Sequence, residues 1–353
     1  MNFRLLIFYL TLPFLISGYN GIAKSELMTI QVPNKTDDAI LLSEMAITVK
    51  KIKLETRDGV FLGHIKDVKL HRDRLFVSDS KISIFDVEGN FMQFLGKQGE
   101  GPGEYQRVNS MDIDGDSGRI FVSAYNKLLV YGPDYKLIEE RKLDYPIGYV
   151  KVLDGDVWLV SEKIGIKIGD HFANQTNIYK LNDNFVISDT IPFRTIILDQ
   201  KIIGGYPFRY WLSNIEEGLF MFMPVLTPEN MMRDTLYQVL GKTLKPAVKF
   251  RFERPQSLGE REYQTLLLYN MVNSSSYYLL EYDQDWKRFM FLYDKKKELG
   301  YNLSEGLLDD NGEPVFVRPL DLKQDVFYYI KKAAYIDSSI EEQNPEITIV
   351  KLK

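Results

Sequence analysis

The residue types able to do chemistry are few and scattered. Only three histidines occur, His64, His71 and His171, and there is no cysteine. Thiolate zinc sites, cysteine nucleophiles and Cys-ligated clusters are therefore excluded. A three-histidine metal centre needs its imidazoles in one place. His71 falls in a turn and His171 in a long loop, which leaves His64, at the start of a strand, as the one placed to face a common centre. No Gly-x-Ser-x-Gly elbow is present. Among 49 acidic residues no pair is singled out as the two carboxylates of a glycosidase. Asp112-Ile113-Asp114-Gly115-Asp116 carries the alternating carboxylates of a calcium loop, but Ser123 stands where the bidentate Glu of such a loop belongs. We read it as a turn between two strands, built from Asp and Gly. Asp309-Asp310-Asn311-Gly312 reads as a hairpin turn from its Asn-Gly pair. No cofactor and no metal is expected.

The elements that must position any site are strands. Leu75-Phe76-Val77-Ser78 recurs as Ile120-Phe121-Val122-Ser123, 45 residues later, and as Trp158-Leu159-Val160-Ser161, 38 residues after that. Each is followed by a second apolar run and a Gly-, Pro-, Asn- or Asp-rich turn, as hairpins require. A repeat of this length with several strands is propeller spacing. Later repeats centre on Leu219–Phe222 with Thr235–Val239, on Trp286–Tyr293, and on Val315–Val317 with Asp325–Ile330. From Ile47 to the end, six blades take about 51 residues each, enough for four strands and loops. The strand at 47–54 and the strand at 347–352 are expected to share one blade and fasten the ring. Between the fourth and fifth blades, Ser257 to Asn270 reads as a short inserted helix, with Ser257 as cap and Glu260, Arg261, Glu262 and Gln264 as good formers. The segment 328–342 is open between helix and strand.

Between the first two repeats lies Gly96-Lys97-Gln98-Gly99-Glu100-Gly101-Pro102-Gly103-Glu104-Tyr105. A dinucleotide fingerprint needs a helix after its glycines, and Glu100 and Glu104 would repel a phosphate. Gly99, Gly101, Pro102 and Gly103 are read as structural, making a sharp crossing between blades. This decapeptide, preceded by Ile84-Phe85-Asp86-Val87-Glu88-Gly89, resembles the hallmark of six-bladed β-propellers common in Bacteroidetes, which are similar to NHL- and TolB-like propellers and were catalogued as a domain of unknown function. Arg233-Asp234-Thr235-Leu236-Tyr237 and the terminal Ile347–Lys353 match the same family. The resemblance covers about residues 47–353. It implies an all-β six-bladed β-propeller and an envelope location, and it carries over no catalytic residues.

The ends agree with export. Residues 1–23 read as a signal peptide: Arg4, an apolar run from Leu5 to Ile16 that is too short to span a bilayer, and small residues before a cleavage after Ala23. Ile16-Ser17-Gly18 begins a lipobox, but Tyr19 occupies the place of the lipidated cysteine, so no lipid anchor is expected. The product would be periplasmic, surface-located or secreted, with no transmembrane segment in the mature chain. Residues 24–46 are polar and read as a flexible lead-in to the propeller at 47–353. Forty-four basic residues against 49 acidic ones give −5 and no basic tract, so nucleic acid is not an expected partner. The 22 tyrosines and 21 phenylalanines suit pleated, half-buried surfaces.

Tyr206-Pro207-Phe208-Arg209-Tyr210-Trp211 is the densest aromatic cluster. It reads either as an inner strand packing between blades or as a surface for stacking, with Arg209 free to pair with a carboxylate. Loops entering the inner strands should converge at one mouth of the channel. On that phase the ligand-binding set is Tyr105, Arg107, Tyr149, Arg209, Trp211 and Tyr277. The expected function is a non-catalytic binding or scaffolding module of the bacterial envelope, with a glycan, a peptide or another envelope protein as partner. The rival class is an enzyme, a lyase or hydrolase acting on a glycan or peptide at the channel mouth, and a close pair of carboxylates there would favour it.

Overall fold

The recurrent apolar quartets are second strands, and their composition follows from where they lie. In an ordinary half-buried strand one face is polar. Here each strand is covered by a blade on either side, so both faces are apolar. Phe76 packs toward blade two while Leu75 and Val77 pack toward blade six. Phe121 packs toward blade three while Ile120 and Val122 face blade one. Leu159 and its neighbours Trp158 and Val160 divide in the same way between blades two and four.

The computed structural model describes residues 27–202, 205–229, 231–259, 263–331 and 343–353. They form six four-stranded antiparallel blades. From the inside outward, blade one is Asp67–His71, Arg74–Ser78, Ile82–Asp86 and Phe91–Phe94, and blade two is Ser110–Ile113, Ile120–Ala124, Lys127–Tyr131 and Leu137–Lys142. Blade three is Tyr149–Leu153, Asp156–Ile168, His171–Leu181 and Ile187–Leu198. Blade four is Leu212–Ile215, Gly218–Met221, Thr235–Leu240 and Thr243–Phe252, and blade five is Leu266–Asn273, Tyr277–Gln284, Lys287–Asp294 and Leu299–Ser304. Blade six joins Arg318–Asp321, Val326–Lys331 and Glu346–Leu352 to the N-terminal strand Ala46–Lys53. The closing pair is antiparallel, with Lys50 opposite Ile349, as expected. Among the described residues the core is six apolar slices, one in each gap between blades, and a small seventh cluster of Ile196, Leu198 and Val225.

One expectation is corrected. Leu266–Asn270, placed in a helix by its flanking formers, belongs to the inner strand of blade five, Leu266–Asn273. Leu266 and Leu268 are buried against Phe250 and Phe291, and that packing outweighs local helix propensity. Ser257 and Thr265 bond to each other through backbones and hydroxyls at 3.0–3.1 Å; residues 260–262 lie outside the described residues. Of the ambiguous segment 328–342, residues 328–331 are strand and the rest lies outside the described residues. The signal peptide at 1–23, Tyr19 included, also lies outside them.

The lead-in over 24–46 is not irregular where it is described. Met28–Val32 adds a fifth, parallel strand to the outside of blade four. The chain then crosses blade five, where the Asp37 amide donates to the Asn302 carbonyl at 2.9 Å and Asn302 Nδ2 donates to the Pro33 carbonyl at 2.8 Å. Leu42 and Met45 of the helical turn Leu42–Met45 join the slice between blades five and six. Ala46–Lys53 follows directly. The segment therefore laces blades four, five and six from outside.

The glycine-rich crossing folds back on itself. Lys97–Gln98 and Glu104–Tyr105 form a two-residue parallel bridge. The Tyr105 hydroxyl donates to the Leu95 carbonyl at 2.6 Å and so ties both ends of the loop. Lys127 Nζ donates to the carbonyls of Gly101 and Glu104 at 3.0 and 3.1 Å, and Glu140 accepts from the Gly103 amide. Of the three glycines taken as structural, only Gly103 sits in the left-handed region, at φ +73°, and a Cβ there would come 2.9 Å from Leu137.

Two stability predictions follow from these contacts. Gly103→Ala will destabilise by about 1 kcal/mol or more. Gly115→Ala, which has open space and no positive φ, will be near neutral; denaturant midpoints compare the two. Asn302→Ala strips the external segment of a carbonyl partner and leaves the buried Tyr282 hydroxyl, now 2.7 Å from Asn302 Oδ1, unpaired. It should cost about 1–3 kcal/mol and make residues 27–41 the first site of limited proteolysis.

Candidate functional site

A closed ring of blades leaves an axial hole, and residues 206–211 fill it. They are irregular, with strand beginning only at Leu212, so the inner-strand reading is corrected. The segment touches four other blades. Tyr206 donates to Glu162 Oε2 of blade three at 2.9 Å, and Arg209 Nη1 donates to the carbonyls of Asn109 and Gly148 at 3.1 and 3.4 Å. The Tyr210 hydroxyl lies 2.8 Å from that of Tyr328 and donates to the Lys66 carbonyl at 3.3 Å. Phe208 lies under the Arg318 guanidinium, 4.0 Å from its ring centroid. Arg318 is itself fixed by two contacts, at 2.6 and 3.0 Å, to the fully buried carboxylate of Glu281.

Below this plug an ion network crosses the channel between the inner strands of blades one, two and three. Lys69 lies 3.1 Å from Asp67 and 3.9 Å from Asp112, and Lys151 lies 3.1 Å from Asp112. Asp112 also accepts the Val152 amide at 2.7 Å. Burial works against the Lys69 charge, but Asp67 and Asp112 outweigh it and hold its pKa above the ordinary lysine value. Burial pushes the Asp67 carboxyl up. Burial likewise pushes Tyr149 and Tyr328 well above the usual phenol range. Asp112 is thus a channel residue. Only the rest of its motif is the expected turn: Asp114 accepts from the Ser117 hydroxyl, and the Gly118 amide donates to the Asp114 carbonyl at 2.8 Å. The turn at Asp309–Gly312 is also as expected, with the Gly312 amide donating to the Asp309 carbonyl at 3.0 Å.

Plug and network separate two cavities. The one beyond the network, about 340 Å³, includes Lys69, Asp112, Lys151 and Tyr149 in its wall. The one at the mouth, about 800 Å³, is walled by the approaches to the inner strands of blades one, two and four, and it is the candidate site. Lys66, Arg107 and Arg209 all line it, together with His64, whose ring is 6.5 Å from that of Phe208. Among the described residues none of these three cations has a carboxylate partner. Arg209 Nε is buried without any hydrogen-bond acceptor. Lys66 is held below the ordinary lysine pKa by burial first and then by the positive charges of Arg107 and Arg209. The carboxylates in the wall are mostly committed. Asp67 pairs with Lys69, and Glu104 pairs with Lys97 at 2.9 Å while accepting the Gly101 amide at 3.1 Å. Glu100 accepts from the Gln106 side chain.

Of the six residues read as ligand-binding, the structure brings Tyr105, Arg107 and Arg209 to this cavity. Tyr105 is nearly fully buried and contributes wall, not reach. Tyr149 and Trp211 are core between blades three and four, with rings 5.8 Å apart. Trp211 lies so close to Gly148 that a Cβ there would be 2.7 Å from the indole. Tyr277 opens the second strand of blade five, at the opposite face, and its hydroxyl donates to the Lys353 carbonyl at 2.6 Å. Mistaking the true inner strand of that blade for helix put the reading one strand out of phase. Sequence reasoning missed Tyr125, at the rim. It is 69% exposed and sits at φ +54° in the turn before Lys127–Tyr131. An aromatic in a two-residue hairpin position normally held by Gly, Asn or Asp was the available signal.

Among the described residues no helix is long and apolar enough to cross a membrane. None of the curated proteins matches the chain. Among solved structures, a protein of Bacteroides fragilis whose name marks it as a candidate exported protein is similar to this chain at TM-score 0.64 and 18% identity, covering 92% of this chain and 100% of its own. A member of the DUF4221 family from Bacteroides vulgatus is similar at TM-score 0.49 and 12% identity, over 87% and 97% of the two chains. The first of these supports the propeller fold alone. Residues 27–353, from the external strand to the closing blade, match the family described as Domain of unknown function (DUF4934), and the chain belongs to that family.

Proposed function

We propose that this chain is a non-catalytic binding module of the bacterial envelope whose mouth cavity selects an anionic ligand. The observation that carries the reading is the trio Lys66, Arg107 and Arg209, gathered in a cavity of about 800 Å³ with no carboxylate partner among the described residues. Crowding an exposed Arg107 against the half-buried Lys66 and Arg209 is unfavourable unless an anion completes the site. Arginine forks suit carboxylate oxygens, because two parallel N–H bonds can be made at once. The non-catalytic reading is supported by the acids in the wall. Asp67 and Glu104 are each bound to a lysine, which is not the arrangement of a free acid and base. The envelope location rests on the leader at 1–23 and on the name of the Bacteroides fragilis relative.

Calorimetric titration of the mature chain, recovered from the envelope with an intact mass beginning at Lys24, tests both parts. Citrate should bind and a neutral polyol should not. Citrate affinity should fall as salt is raised, since exposed charges are screened beyond about 8 Å at physiological ionic strength. Arg107→Gln, at an exposed position, should weaken citrate at least five-fold with an unchanged melting temperature. Equal binding of polyol and citrate, or a variant indistinguishable from the parent, would remove the reading.

A further inference from the structure

We infer that the ligand is an acidic saccharide carrying about one carboxylate per ring, as a uronate does, with one ring laid on Tyr125 and its carboxylate turned to Lys66, Arg107 and Arg209. The inference rests on the anion reading above and adds what the anion is attached to.

The first support is the strained, exposed aromatic. A bulky residue at φ +54° is disfavoured, and such conformations persist where the surroundings enforce them. Here the Tyr125 carbonyl accepts the Ile147 amide at 2.6 Å, and Asn126 Nδ2 donates to the Leu143 carbonyl at 2.9 Å. The turn is thereby fixed to the connection between blades two and three. Tyr125 packs little of itself into the fold, being 69% exposed, while lining the rim of the cationic cavity. A pre-positioned aromatic face is what the C–H face of a pyranose needs, because its slightly positive C–H hydrogens meet the negative face of the ring.

The second support is the rest of the wall. The side-chain amides of Gln106, Asn109 and Asn126 also line the cavity; each donates one N–H within the protein, to Glu100, the Ile147 carbonyl and the Leu143 carbonyl, which leaves its carbonyl oxygen and second N–H for a ligand. A sugar has the matching anatomy, an apolar face and a hydroxyl-bearing edge. About 800 Å³ lies in the range of small-ligand sites. Charge density is limited by Glu100 and Glu104, which line the same cavity. Two carboxylates there disfavour a densely sulfated chain and leave room for sparse charge.

Titrations with trigalacturonate, the neutral galactose trisaccharide, triglutamate and citrate separate the outcomes. Trigalacturonate should bind at least ten-fold more tightly than each of the others. Tyr125→Ala should weaken trigalacturonate at least ten-fold and leave citrate unchanged, while Tyr125→Phe should retain both. The Tyr125 side chain is exposed, and a melting temperature on each variant checks that folding is kept. If citrate binds but trigalacturonate is no tighter, or triglutamate is tighter, or Tyr125→Ala leaves the trigalacturonate affinity unaltered or lowers both affinities alike, the saccharide inference is overturned while the anion reading stands. If none of the three anions binds, the anion reading falls first and this inference with it.

Discussion

Six sheets closed into a ring cannot fill their own axis, and how this chain fills it decides the rest of the molecule. The plug at 206–211 enters from the approach to blade four and bonds to blades one, two, three and six. Its contacts are directional: a phenol pair, backbone carbonyls, and a guanidinium over a ring. Each needs the blades at fixed separations. The ion network beneath it has the same character, since a buried lysine between two carboxylates is tolerated only with close geometry. Filling the axis in this way leaves a concavity on one side of the mouth, and that concavity is the site.

The charge at the site follows from the same arrangement. Arg209 is carried to the cavity by the plug, whereas Lys66 and Arg107 come from the approaches to blades one and two. Of the three acids in the wall, Asp67 and Glu104 are taken by Lys69 and Lys97, and Glu100 accepts from Gln106. Positive charge is therefore left over locally in a protein whose formal net charge is −5. A long-range field does not explain anion selectivity here; a local imbalance does.

Much of the fold was legible because propeller strands announce themselves. Leu75–Val77, Ile120–Val122 and Trp158–Val160 are apolar on both faces, a pattern that half-buried strands lack. The ring closure by 47–54 and 347–352 could be read from the need to protect sheet edges. What failed was phase and depth. Leu266–Asn273 was hidden by helix-forming neighbours, and losing it moved Tyr277 to the wrong face. Met28–Val32 is a five-residue strand on an outer edge, bounded by Pro33 and Asn34, too short to stand out from a polar lead-in. At the site, Arg107 and Arg209 were found because they sit on the approaches to inner strands. Trp211 and Tyr149 have the same residue chemistry as a binding surface, and only their burial against Gly148 and each other tells them apart. Tyr125 was missed because its significance is conformational.

The central claim is that Lys66, Arg107 and Arg209 share one cavity and that none of them has a carboxylate partner among the described residues. The most direct measurement is the NMR titration of Lys66 in isotope-dimethylated protein, assigned with Lys66→Arg, free and saturated with citrate. In the free protein Lys66 should titrate below the ordinary lysine value of about 10.4, because burial and two guanidinium groups disfavour its charge. Bound anion favours the ammonium form, so saturation should raise that pKa, and affinity should fall as pH rises through the free-state value. A Lys66 that titrates at the ordinary value and does not move with citrate would contradict the account.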